Sequence, residues 1–306
     1  MIEKVRAQVR IQIWIALAAL LSVQAVPAKA AISMRDDAGD LVTLAQPARR
    51  VISLSPHVTE MLFAAGGADR IVGTVNYSDY PPAAKNIPRV GDNRSVDIEH
   101  LLSLKPDLLV VWRHNASSRQ MDQLRRLGIP LFYSDPHKLE DIPESVLRLG
   151  RLMGTEQQAQ QSAGELRKQL ETLVSAYRNR PRVRVFYQVW DKPLYTLNER
   201  HIITDAIRVC GGENIFASLP MAAPSITQEA VVKENPEVIV SGDRNDQTVS
   251  GIEIWKQYPS MLAVKRGNLF AIDGNLINRS GPRIIDGAGE LCARLEQARG
   301  RRGDRP

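Results

Sequence analysis

Ser95-Val-Asp-Ile-Glu99 leads into Lys105-Pro-Asp-Leu-Leu-Val110, and the pattern returns as Ser225-Ile-Thr-Gln-Glu229 and Asn235-Pro-Glu-Val-Ile-Val240. The offset is 130 residues at Ser95/Ser225, Glu99/Glu229, Pro106/Pro236 and Val110/Val240. Each copy reads as a short helix, a proline stop and a β-branched strand. Gly66-Gly67 before Ile71 likewise echoes Gly211-Gly212 before Ile215. Several matches in one register point to a duplicated unit rather than a chance likeness. Two such units imply two lobes, and the cleft between lobes is a common place for a small-molecule site.

Outward from the repeat, short apolar runs alternate with helical patterns. Residues 51–54 predict a strand, with Ser55 as N-cap and Pro56 in the first turn of a helix. Residues 71–75, 108–112 and 130–133 are the further strands of the first unit, with helices at 98–104 and 119–127. Residues 183–189, 238–241 and 269–273 are strands of the second unit, with helices at 202–209 and 282–298. Such alternation implies parallel sheets covered on both faces, an α/β fold. Between the units, Ala159, Ala163, Leu166, Leu170, Leu173 and Tyr177 recur at spacings of four and three, the mark of a long amphipathic helix. The expected divisions are an N-terminal lobe over 48–154, the connecting helix over 155–179, a C-terminal lobe over 182–298 and a disordered basic tail over 299–306.

Residues 1–30 read as a secretory signal peptide. Lys4, Arg6 and Arg10 make a basic start, an apolar run follows, and Ala28-Lys-Ala30 is a small-x-small cleavage pattern. The run is about 16 residues, short of the roughly 20 that span a bilayer. No cysteine lies nearby to carry a lipid, so the expected location is the periplasm, with the mature protein not inserted in a membrane.

Of 306 residues, 43% are hydrophobic and 24% charged, which excludes a disordered, collagenous or coiled-coil chain. The net charge of +6 is concentrated at the two ends. Lys4, Arg6, Arg10 and Lys29 stand against Glu3, and four arginines after residue 298 stand against Asp304. The body between is close to neutral, so the basic balance argues for no acidic partner and no nucleic acid.

No Gly-x-Ser-x-Gly elbow, His-Glu-x-x-His helix, phosphate-binding loop or Gly-x-Gly-x-x-Gly turn is present. His57, His100, His114, His137 and His201 are scattered, with no pair at metal-ligand spacing. The chain therefore reads as a binding protein rather than an enzyme, with no metal and no catalytic cofactor. Cys210 and Cys292 are the two cysteines. An oxidising compartment favours a disulfide between them, stabilising by about 4 kcal/mol on a chain-entropy model. Two buried thiols are the alternative.

Arg50-Val-Ile-Ser-Leu-Ser-Pro56, Thr59-Glu60, Tyr77-Ser-Asp-Tyr-Pro-Pro82, Leu104-Lys-Pro-Asp-Leu108, Val209-Cys-Gly-Gly-Glu-Asn-Ile-Phe216 and Ser280-Gly-Pro-Arg283 resemble the vitamin B12-binding periplasmic proteins of ABC importers. These are a branch of the helical-backbone metal-chelate receptors, which also bind iron siderophores and haem. The likeness runs over residues 49–298. It implies two Rossmann-like lobes joined by one rigid helix, little hinge closure, and a bridge matching Cys210–Cys292. It also implies a monomer that holds a corrinoid (cobalamin) in the cleft and delivers it to an importer permease with its cytoplasmic ATPase.

The resemblance carries roles to individual residues. Glu99 and Glu229 match glutamates, one per lobe, that meet arginines of the permease. Tyr77 and Trp112 match aromatic ligand contacts, which suit the apolar faces and edges of a corrin. Trp190, at the end of the first strand of the second lobe, is read as facing them. Asp273 and Arg279 resemble polar contacts to the corrin's amides, and Arg283 reads as a structural arginine at a helix start. Asn93 and Ala223 stand where tryptophans are expected. That departure keeps haem, with Tyr77 as axial ligand, or an anionic siderophore, met by Arg94, Arg113 and Arg279, as the alternative cargo. A secreted enzyme on the same scaffold is the third reading.

Overall fold

The computed structural model describes residues 31–92, 95–112, 118–243 and 251–303. Residues 1–30, expected to be an export signal, and Asn93, Arg94, Arg113 and His114 lie outside the described residues. A hairpin of β1 (Ile32–Arg35) and β2 (Leu41–Leu44) precedes the first sheet. That sheet holds β3 (Val51–Ser53), β4 (Ile71–Gly73), β5 (Leu108–Val111) and β6 (Leu131–Tyr133), all parallel, in the order β4-β3-β5-β6. The second holds β7 (Val183–Gln188), β10 (Gly212–Asn214), β11 (Val238–Asp243) and β12 (Leu269–Asp273), again parallel, in the order β10-β7-β11-β12. A small hairpin of β8 (Trp190–Asp191) and β9 (Leu194–Tyr195) follows β7. Taken in chain order, the four strands occupy the same places in both sheets.

The strands are buried on both faces, and the period of two sorts their side chains into three cores. Val51, Leu108 and Val110 point into a core that continues through Val185 and Val240 of the second sheet. Ile52, Leu109 and Val111 line a second core on the opposite face of the first sheet. Phe186 and Ile239, with Trp255, form the third on the outer face of the second sheet. Each such aliphatic side chain contributes about 1.5–3 kcal/mol on burial.

The helices are α1 (Pro56–Ala64), α2 (Ile98–Ser103), α3 (Ser118–Arg126), α4 (Asp141–Met153), α5 (Glu156–Tyr177), α6 (Ile202–Val209), α7 (Gln228–Glu234), α8 (Leu262–Lys265), α9 (Gly274–Ile277) and α10 (Ile284–Gly300). The predicted long helix is α5, of 22 residues. Its Ala159, Ala163 and Leu170 join the core shared by both sheets, so α5 binds one lobe to the other by burial. Helix α4 lies against α5 so closely that a Cβ on Gly150 would sit 2.3 Å from the Ala159 Cβ, which only glycine allows. No helix of the described residues is long and apolar enough to cross a membrane.

The repeat extends to backbone geometry. Asp97 caps α2 by accepting from the His100 amide, and Thr227, at the same repeat position, caps α7 by accepting from Ala230. Lys105 and Asn235 both take the left-handed conformation, with φ of 47° and 46°, just before Pro106 and Pro236. Cys210 and Cys292 form a disulfide that ties the end of α6 to α10, with Cα atoms 4.6 Å apart.

Two expectations need correction. Ser55 does not cap α1 with its side chain; its Oγ lies 2.8 Å from His57 Nδ1 instead. Nor do residues 299–303 belong to a disordered tail. Helix α10 runs to Gly300, and Arg299 donates to the carbonyls of Pro181 and Cys210 at 2.8 and 2.7 Å. Arg302 pairs with Glu237 at 2.7 Å, and Arg301 donates to the Gly267 carbonyl at 2.5 Å. Guanidinium forks satisfy orphan carbonyls at helix and strand ends, so a segment with no apolar residue is pinned without a core of its own.

Candidate functional site

Parallel α/β sheets present their ligand sites beyond the carboxyl ends of the strands. In the first lobe those ends lead to Ser55 and His57 after β3, Tyr77 after β4, Trp112 after β5 and Asp135 after β6. In the second they lead to Trp190 after β7 and to Asp273 and Arg279 at and beyond the end of β12.

The first lobe builds its edge on buried hydroxyls. Thr59 Oγ1 donates to Ser53 Oγ at 2.8 Å and lies 2.9 Å from Thr74 Oγ1 and 3.2 Å from Ser78 Oγ. The cluster knits β3, α1 and the loop after β4. It also anchors Ser78, and so fixes its neighbour Tyr77 with φ of 66° and its ring 64% exposed. A left-handed tyrosine costs on the order of 1–2 kcal/mol, and its surroundings hold it there.

Glu60 lies one position beyond this cluster and is 3% exposed. Arg283 of the second lobe donates to both its carboxylate oxygens, Nε to Oε2 at 2.8 Å and Nη2 to Oε1 at 2.7 Å, and Arg279 adds a contact at 3.3 Å. Hydrogen bonding to Glu60 raises the Arg283 pKa above its ordinary value. The Arg283 guanidinium also lies 3.9 Å from the ring centroid of Tyr80. A buried carboxylate of one lobe is thus clamped by two arginines of the other. Thr59-Glu60 and Gly-Pro-Arg283 were legible as motifs, but no sequence signal paired them across the molecule.

Trp112 is half-buried. Its Nε1 donates to Asp135 Oδ1 at 2.8 Å, and the His57 ring meets it edge-on at a centroid distance of 5.4 Å. Burial pushes His57 down to about 4, against the opposing pulls of the Ser134 backbone and the Asp135 charge and with Arg279 adding to the depression. Trp190 opens the β8–β9 hairpin, 48% exposed, with Nε1 donating to the Lys192 carbonyl at 3.0 Å. Asp273 caps α9 by accepting from the Asn275 amide at 2.8 Å. Of the residues expected in the cleft, Trp112 meets His57 and Arg279 meets Glu60, two positions one turn apart on α1. Tyr77 and Trp190 stand open to solvent, one on each lobe.

Glu99 and Glu229 are exposed in the first turns of α2 and α7. Hydrogen bonds from its own amide and from the Thr227 hydroxyl lower the Glu229 pKa. Among the described residues no group of three His, Cys, Asp or Glu is arranged to hold a metal ion. A scaffold of this kind is suited to enclose a ligand between two lobes with aromatic and guanidinium groups.

Comparison with known proteins agrees with that reading. Residues 51–276 match the model of the family described as periplasmic binding protein. A vitamin B12-binding protein of Yersinia pestis is 36% identical over 256 residues, covering 83% of this chain and 89% of the relative. The crystal structure of the periplasmic vitamin B12-binding protein of Vibrio cholerae superimposes with a TM-score of 0.77 at 32% identity, over 83% of this chain and 98% of that one. A periplasmic haem-binding protein from Roseiflexus shares the fold, with a TM-score of 0.70 at 21% identity over 82% and 99% of the two chains.

Proposed function

This chain belongs to the periplasmic binding protein family, and on that premise we propose that it captures a corrinoid between its lobes and delivers it to an ABC importer. The observation that carries the reading is the similarity to relatives named as vitamin B12-binding proteins, at 33–36% identity over more than four-fifths of the chain. The geometry supports it. Tyr77, Trp112 and Trp190 offer apolar faces at the strand ends, while Asp273 and Arg279 offer polar groups for the amides around a corrin. The protein does no chemistry on its cargo, which arrives with its metal already chelated. Glu99 and Glu229 dock the loaded protein on the permease, one lobe on each half.

A second reading has a specific observation in its favour. Tyr77 exposes its phenol, and Ala223, also exposed, leaves the rim of the second lobe without the expected tryptophan. Haem would use that phenol as an axial ligand. Titration of the mature protein with cyanocobalamin, haemin and ferric siderophores separates the two. Tryptophan quenching and calorimetry are expected to give submicromolar cobalamin binding and weak haem binding. No cobalamin binding at millimolar concentration overturns the corrinoid reading.

A further inference from the structure

Trp112 lies beyond β5, where its plane has to be set before a flat ligand can lie against it. Strands β5 and β6 pair with Val111 opposite Tyr133, so the chain beyond Tyr133 runs beside Trp112. Asp135, two residues on, puts Oδ1 2.8 Å from the indole Nε1. Its carboxylate is 7% exposed. A carboxylate withdrawn from water to that degree is stable only where donors meet it. The indole N–H is one of them, and the His137 Nε2 lies 3.6 Å from the other oxygen, Oδ2. The Asp135 amide donates to Asp37 Oδ2 at 2.6 Å, which holds the backbone still while the side chain reaches across. On the other side the His57 ring stands at 90° to the indole and is itself held by Ser55.

His137 Nδ1 lies 2.9 Å from the Arg200 carbonyl, in the loop before α6. Because Nδ1 faces a carbonyl it carries the ring proton, so His137 meets the Asp135 carboxylate, 3.6 Å from Nε2, as a donor only when doubly protonated.

We propose that Asp135 is a positioning residue for Trp112, holding the indole plane for a ligand. The proposal rests on the corrinoid reading for its binding consequence, and on the ligand-free protein for its geometric one. Asp135 touches no ligand itself. A single neutral acceptor suffices for the indole, so asparagine replaces it and leucine does not.

The test uses the mature protein with Asp135→Leu, Asp135→Asn, Trp112→Phe and the Asp135→Leu/Trp112→Phe double variant. Cyanocobalamin titration is expected to show a roughly tenfold rise in Kd for D135L, the size of one lost hydrogen bond with its donor left unmet. D135N is expected to stay within about threefold of wild type. In the Trp112→Phe background, where no indole N–H exists, D135L is expected to add nothing. Near-UV circular dichroism of the ligand-free proteins should lose the Trp112 contribution in D135L and keep it in D135N. Wild-type Kd in D135L, an equal loss in D135N, or a full D135L effect in the Trp112→Phe background overturns the proposal. An unchanged ligand-free spectrum in D135L overturns it too. If wild type itself binds no cyanocobalamin, the corrinoid reading fails, and the ligand-free spectra alone decide whether Asp135 positions Trp112.

Discussion

In the first lobe the strand ends meet over a nest of hydroxyls, Ser53, Thr59, Thr74 and Ser78, with buried Glu60 beside it. In the second lobe the covalent tie and the arginines of the chain's end lie at the opposite end of the sheet. The Cys210–Cys292 bridge joins α6 to α10, and Arg299 and Arg302 bind carbonyls before β7 and the carboxylate of Glu237 before β11. Two sheets of one topology are thus both tied at their amino ends, Arg50 to the Leu104 carbonyl and Arg184 to the Glu234 carbonyl, while the hydroxyl nest belongs to the first lobe and the disulfide to the second. Topology follows the order of apolar strands and helix stops, which the two lobes share. The staples are interchangeable chemistry laid over it.

The matched glutamates give the most severe test of that symmetry. Glu99→Arg with Glu229→Arg is expected to abolish uptake of the ligand by whole cells while leaving affinity in solution within about twofold, since exposed charges of this kind steer docking. Normal uptake would remove both from the permease contact, and a large difference between the two single variants would break the symmetry between lobes.

The staples come next. Cys210→Ala with Cys292→Ala is expected to lower unfolding stability by about 4 kcal/mol in denaturant titrations. Glu60→Leu leaves two part-buried arginines without their partner and is expected to cost about 3 kcal/mol by the same measurement. If the two losses add in a combined variant, the front and back staples act independently.

His57 supplies a pH dependence particular to the first lobe. Its pKa is about 4 in the folded protein against an ordinary 6.5, so folding favours the neutral ring. Its contribution is complete above pH 6.5, falls as the unfolded chain takes up a proton between pH 6.5 and 4, and is constant below. The loss amounts to no more than about 3 kcal/mol. Asp135 and Arg279 act on the ring from the two lobes, one raising and one lowering its pKa. Stability curves of wild type and His57→Phe should differ in slope between pH 6.5 and 4 if the assignment holds, wild type falling more steeply with acid; parallel curves across this window would sink it.

The smallest effect separates two matched backbones. Lys105 and Asn235 share a left-handed conformation, but asparagine tolerates it better than lysine. Lys105→Gly is expected to stabilise by roughly 0.5–1 kcal/mol, whereas Asn235→Gly is expected to destabilise by about 1 kcal/mol, because the Asn235 side chain accepts from the Leu262 amide at 2.8 Å. Equal gains at the two sites would show that side-chain type does not matter there.

Much of this was legible in the sequence. The short apolar runs at Val51, Leu108, Val183 and Val238, the long apolar spacing from Ala159 to Tyr177, and the repeat carrying Glu99 and Glu229 all reappear as elements. The hairpin of β1 and β2 and helix α4 were not read, because their apolar residues are few or their pattern is split by Pro143 and Gly150. The end of the chain was misjudged for a related reason. Arginines without apolar neighbours look like a free tail, yet three of them find carbonyls and a carboxylate on the folded surface.

Local pattern by itself determined the two α/β lobes, the succession of strands along the chain, the helix between them and the matched glutamates, because buried strands leave short apolar runs and a packed helix leaves apolar residues at every third and fourth position. The tertiary structure alone decided which polar groups meet. Glu60 finds Arg283 across 223 positions, Trp112 finds Asp135, and Thr59 gathers three other hydroxyls. A hydrogen bond needs its partners about 3 Å apart, and that closeness arises only after the apolar cores have set the strands side by side.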